Sequence, residues 1–182
     1  IRKLADYVAG GGFDRFMLSP KNLLVRVATS SFSVSALGDI VFGLACLVIY
    51  GLLVQVSIAQ IFLIALLVLI SIVVFLAAAI AAYSASFLFT DANSVTSGLF
   101  ELFMTPSLFH GGAFQGATRL VFTFLIPSLV VGALPVEIVR NVSLEQLAVV
   151  GIVAVVWFFL SLKLFSWGVK KYESTNFMTF GN

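Results

Sequence analysis

Residues 40–90 read IVFGLACLVIYGLLVQVSIAQIFLIALLVLISIVVFLAAAIAAYSASFLFT, a stretch from Ile40 to Thr90 without one Asp, Glu, Lys or Arg. As one straight helix it would be about 76 Å long at roughly 1.5 Å per residue. A bilayer core is about 30 Å thick and is crossed by roughly 20 apolar residues, so the stretch must fold back on itself. The polar interruption Gln55-Val56-Ser57-Ile58-Ala59-Gln60 stands where the turn is needed. Two spans follow, 36–54 and 61–82. Only helices or closed barrels satisfy the backbone in lipid, and these runs exceed the roughly 9–11 residues of a barrel strand. The expected fold is therefore all-α, a polytopic membrane helical bundle.

Composition extends this reading to the whole chain. It is 61% hydrophobic and 10% charged, with mean hydropathy +1.15, where a soluble domain carries roughly 25% charged residues. A net charge of +2 and the absence of any basic block give no footing for nucleic acid, whose phosphates recruit Lys and Arg. The single Cys46 allows no intrachain disulfide. The chain opens on Ile1, and its first 26 residues are polar and amphipathic, unlike a signal peptide. The expectation is a piece of a longer protein.

Two more apolar runs complete a set of about four spans, 116–134 with Pro127 inside it, and 147–167 with Lys163 near its end. Between 83 and 119, Val95, Leu99, Leu102 and Phe103 follow helical spacing opposite Ser94, Ser97 and Glu101. Pro106 should stop that helix, which reads as an interfacial helix followed by a bend at Gly111-Gly112. Arg2, Lys3, Arg15, Lys21 and Arg26 precede the first span, and Lys163, Lys170 and Lys171 close the last. With Arg119 at the inner end of the third span, nine of ten basic residues share one side. By the positive-inside rule both ends are cytoplasmic, with the loops near Ser57 and Arg140 outside. Pro127 and Pro135 remove two backbone donors, and such breaks are tolerated in lipid only beside protein or water. This places an outer gate and re-entrant bend at Pro127, Pro135 and Glu137.

Residues 1–30 read as a cytoplasmic amphipathic elbow. Gly10, Gly11 and Gly12 break one short helix, Phe13, Phe16, Met17 and Leu18 form an apolar edge beside Asp14 and Arg15, and Pro20 turns the chain again. The tail 168–182 follows Trp167 with Gly168, Lys170, Lys171, Tyr172, Glu173, Ser174 and Asn176. Aromatic and cationic anchoring at a membrane boundary explains that tail without further function.

Taken in order, the elbow, the run Glu101 to Phe109, the run Arg119 to Pro127 with Leu134-Pro135, and the ending from Trp167 resemble the permeases of ABC type-2 transporters. The resemblance covers essentially the whole chain and matches the last four of six expected spans plus the preceding elbow. It departs at the start, where two spans are missing, and at His110, where relatives often carry a second proline. It implies a permease subunit that forms the pathway for ATP-driven export of an unknown substrate, amphipathic cargo being compatible, in the plasma membrane of a bacterium. The implied partners are a separate ABC ATPase subunit, a second permease copy or paralogue, and the lipid bilayer. No cofactor is expected in this chain, since ATP belongs to the partner subunit. Consistently, there is no Gly-x-x-x-x-Gly-Lys-Ser/Thr loop. The elbow residues Phe13, Asp14, Arg15, Phe16 and Pro20 would receive the motion of the ATPase, with Phe13 and Phe16 as aromatic anchors in a polar rim.

Two other classes compete. A secondary transporter or channel would need acidic groups buried at mid-membrane, and only Asp39, near one mouth, is available. An intramembrane enzyme would need convergent nucleophilic or metal-ligating groups, and His110 stands without a Cys or Glu at ligand spacing. Neither catalytic nor metal-binding residues are expected.

Overall fold

The computed structural model describes residues 3–18, 22–31, 33–89 and 91–172. Among them every regular element is helical: α1 (Leu4–Ala9), α2 (Asp14–Met17), α3 (Leu23–Thr29), α4 (Ser35–Val54), α5 (Ile58–Ser84), α6 (Ala92–Ser107), α7 (Ala117–Leu120), α8 (Ser128–Val131), α9 (Ala133–Asn141) and α10 (Leu144–Lys171). A π-helical turn, Val121–Leu125, continues α7. The all-α membrane bundle expected from the sequence is what forms.

The α4–α5 turn follows from local chemistry. Gln55 ends α4 in the left-handed region (φ 54), and the Val56 amide donates back to the Gly51 carbonyl at 3.2 Å. Ser57 then caps α5: its side chain accepts from the Gln60 amide, and the Gln60 side chain accepts from the Ser57 amide. This reciprocal capping satisfies two donors that a helix start leaves open. Helix α5 is about 40 Å long at 1.5 Å per residue, sufficient to cross.

Helix α10 runs antiparallel to α5. Its buried residues Val150, Val153, Ala154, Ser161, Phe165 and Gly168 form one stripe. Opposite it, α5 buries an alanine-rich lower half, Ala77, Ala78, Ala79 and Ala82. In lipid, helix association is driven by close packing and favours small residues. Gly168 shows how tight the seam is: a Cβ there would come within 2.6 Å of the Phe87 ring.

Among the described residues three helices are long and apolar enough to cross a membrane: Ser35–Val54, Ile58–Phe87 and Leu144–Lys171. The stretch 116–134 differs from the single span expected of it. It is divided into α7, the π turn and α8, with Pro127 as the N-cap of α8. Its place in the bundle is taken in part by α6, which ends at Ser107, one residue past Pro106. Helix α6 packs along α5. Phe100 stacks between Tyr83 and Phe75 at 5.8 Å from each, and Phe103 lies 6.2 Å from Phe75.

The face of α6 that packs inward shares Phe103 with the one its hydrophobic pattern suggests, but not Leu99 or Leu102. Ala92, Thr96, Phe103 and Pro106 are buried, while Leu99 and Leu102 are exposed. The reason is the solvent: in lipid, apolar side chains gain nothing by turning inward, and a threonine whose hydroxyl bonds its own helix can occupy the seam. Thr96 Oγ1 donates to the Ala92 carbonyl at 2.6 Å.

After α6 the chain forms a hairpin. The Ser71 hydroxyl, halfway along α5, donates to the Val130 carbonyl at 3.4 Å. Ser107 closes on Gly132, where a Cβ would collide with the Ser107 carbonyl. The hairpin tip is therefore level with the middle of α5, and its two arms, α7 and α9, run back toward the Ser57 end.

Candidate functional site

Two regions carry the residues singled out by the sequence. At the elbow, Gly11 takes φ 67 and lets the chain double back so that the Phe13 amide donates to the Tyr7 carbonyl at 2.9 Å. Phe13 is fully buried, its ring 5.0 Å from both Phe87 and Tyr172. Phe16 is buried too, 5.0 Å from Tyr7. The Arg15 guanidinium lies 5.1 Å over Tyr7 and 5.2 Å over Phe16. Arg26 covers the other side of Phe16 at 5.4 Å and donates to the Phe16 carbonyl at 2.8 Å.

Phe13 and Phe16 are thus not exposed anchors. They form the interior of an aromatic clasp that fastens α1 and α2 to the ends of α5 and α10, together with Leu4, Val8, Val27, Ile80, Tyr83 and Phe165. Outside a hydrocarbon environment these rings have apolar surface to bury, and the protein supplies the partners. Met17, Leu18 and Val25 remain outward at the elbow, 49%, 87% and 57% exposed. Pro20 lies outside the described residues.

Asp14 sits beside Tyr172, just beyond the last turn of α10. The Tyr172 hydroxyl is pushed up to about 12, first by burial and then by the neighbouring Asp14 carboxylate. The clasp therefore has a polar contact between the elbow and the end of α10.

At the hairpin, Arg119 on α7 meets Glu137 on α9 through two contacts, 2.5 Å and 3.4 Å. This is the one ion pair among the described residues. Sequence reasoning put Arg119 at the inner end of a span and Glu137 outside. Their contact places them at one level, because the hairpin returns on itself instead of crossing. Gly111 fits against the same carboxylate, where a Cβ would collide with Glu137 Oε1. Pro127 is fully buried at the hairpin tip. Pro135 is the third residue of α9, where the missing amide would have had no partner within the helix, so it begins a helix and breaks none.

The sequence reading missed Trp157. Its Nε1–H donates to the Phe124 carbonyl at 2.9 Å, inside the π turn. A mid-span indole needs an acceptor, and a helix broken before a proline has carbonyls to offer, so a signal was available. Between α4, α5 and α9 lies an apolar groove of about 570 Å³, lined among others by Tyr50, Val68, Ser71, Phe75, Val131 and Val136. No group of three or more metal-ligating side chains occurs among the described residues.

Apolar helices long enough to cross a membrane, packed as a bundle with a hairpin and an aromatic clasp at one end, mark a multi-pass membrane protein. The family model described as ABC-2 family transporter protein matches residues 1–176. The chain belongs to this ABC-2 transporter family, the class of membrane permeases. No curated protein and no solved structure matches it.

Proposed function

We propose that this chain is the membrane subunit of an ATP-driven exporter of an amphipathic substrate. It works with a separate ATPase subunit and a second permease copy or paralogue in a bacterial plasma membrane. ATP is bound and hydrolysed on the partner, and this chain needs no cofactor of its own. Both described ends lie on the cytoplasmic side, and the hairpin with Pro127, Pro135 and Glu137 gates the opposite face.

The observation that carries the reading is the aromatic clasp. A partner pushing on the elbow displaces α1 and α2, and Phe13 against Phe87 and Tyr172 couples them to the ends of both α5 and α10. Those two helices hold the hairpin through Ser71 and Trp157, so the elbow and the gate share the same two rods. Asp14, Arg15 and Phe16 shape the elbow, while Met17 and Leu18 offer the apolar contact for the ATPase.

The test is co-purification of the full-length protein with a nucleotide-binding subunit. Leu18→Ser combined with Met17→Ser should lower recovery of that subunit without lowering the level of the permease. Undiminished recovery would move the docking surface elsewhere, and a permease that never co-purifies with an ATPase would remove the reading itself.

A further inference from the structure

We infer that the groove between α4, α5 and α9 is a binding site for one acyl chain of an anionic phospholipid, with Arg140 as the headgroup contact. The lining is apolar except for Tyr50 and Ser71, which suits hydrocarbon. Along α5 it extends from Ile64 to Leu76, about 18 Å at 1.5 Å per residue. Half of a bilayer core is about 15 Å, so the groove has the length of one acyl chain, entering from the Ser57 side and ending past Ser71, the middle residue of α5. Gly132, one of the lining residues, is wedged against Ser107.

Charge complements that shape. Pro135, Val136 and Val139 face the groove, and Arg140 is one turn beyond Val136 on the same helix. Arg140 is exposed, and among the described residues it has no ion pair. Glu137, the nearest acid on α9, is engaged by Arg119, and Glu145 belongs to the first turn of α10. A chain seated in the groove therefore brings its phosphate to a basic side chain at the height where α10 begins and headgroups lie. This inference requires only that the chain be embedded in a bilayer, and stands apart from the question of transport.

The experiment uses the protein in nanodiscs containing a diazirine-bearing phosphatidylglycerol or, separately, the phosphatidylcholine with the same chains. After irradiation the labelled peptides are mapped. The anionic probe should label the peptides holding Ser71 and Val136 about fivefold more than the zwitterionic probe, the effect expected of one basic residue near an anionic interface. Arg140→Gln, an exposed change that leaves the fold alone, should bring the two probes level. Val68→Trp should fill the groove and abolish the label there. Equal labelling by both probes in the unaltered protein would overturn the inference. So would label spread evenly over the lipid-facing Phe42 and Phe159, which marks ordinary boundary lipid.

Discussion

At the scale of single residues, the tightest constraints come from glycines that admit a neighbour's backbone or charge. Gly132 lies so close to the Ser107 carbonyl that a methyl group cannot be accommodated without moving α6 away from the hairpin. Gly132→Ala should lower stability by about 1–3 kcal/mol, the usual cost of overpacking, seen as a lower melting temperature in detergent. Gly43→Ala is the control, since nothing lies within 4 Å of its Cβ position, and it should leave the melting temperature unchanged. The Arg119–Glu137 pair makes a second residue-scale claim. Arg119→Glu and Glu137→Arg should each destabilise the hairpin. The double exchange should recover part of the loss, with a coupling of about 0.5–3 kcal/mol for contacting residues. Strict additivity of the two losses would mean that the pair does not hold the arms together.

At the scale of elements, the interruption before Pro127 depends on α10. Trp157→Phe keeps the ring and removes the donor, leaving the Phe124 carbonyl in the π turn without its indole partner. Hydrogen exchange over residues 121–126 should rise in this variant and stay constant over α5. The clasp has its own signature in pH. Tyr172 is raised from 10.0 to about 12, so the folded state holds that proton more tightly than the unfolded chain. The resulting stability is complete below about pH 10 and is lost as pH rises toward 12. The Tyr172→Phe variant should lack that alkaline loss, read as melting temperature against pH. Much at this scale was legible in advance. Gln55 to Gln60 announced a turn because a capping pair follows a polar break, and the apolar runs of α4, α5 and α10 were long enough to be unmistakable. The orientation of α6 was not legible, since Leu99 and Leu102 are apolar for the lipid and say nothing of the protein seam. The burial of Phe13 and Phe16 was equally hidden: an amphipathic edge does not tell whether its partner lies in the same chain or another.

At the scale of the whole molecule, the hairpin changes which loops share a side. The segment Leu108 to Gly116 must rise toward the Ser57 end for Arg119 to reach Glu137, so α6 and the loop after it advance the chain across the bundle. In a Cys46→Ser background, Gln115→Cys should react with an impermeant thiol reagent from the same side as Ser57→Cys and Ser143→Cys, and from the side opposite to Ser30→Cys. Labelling of Gln115→Cys together with Ser30→Cys would restore a continuous span over 116–134. The sequence could not settle this, because the 17 uncharged residues from Leu120 to Val136, with Pro127 and Pro135 among them, suit a short crossing and a re-entrant bend equally. Only the long-range contact between Arg119 and Glu137 separates the two.

The central claim is that this permease moves its substrate only when a partner hydrolyses ATP, and transport by the purified protein in liposomes tests it most directly. With the ATPase subunit and ATP present, a fluorescent amphiphile should be cleared from the leaflet facing the ATPase, and transport should stop when the subunit or the nucleotide is left out. Transport at the same rate without the ATPase would contradict the account and make the chain a secondary transporter or channel.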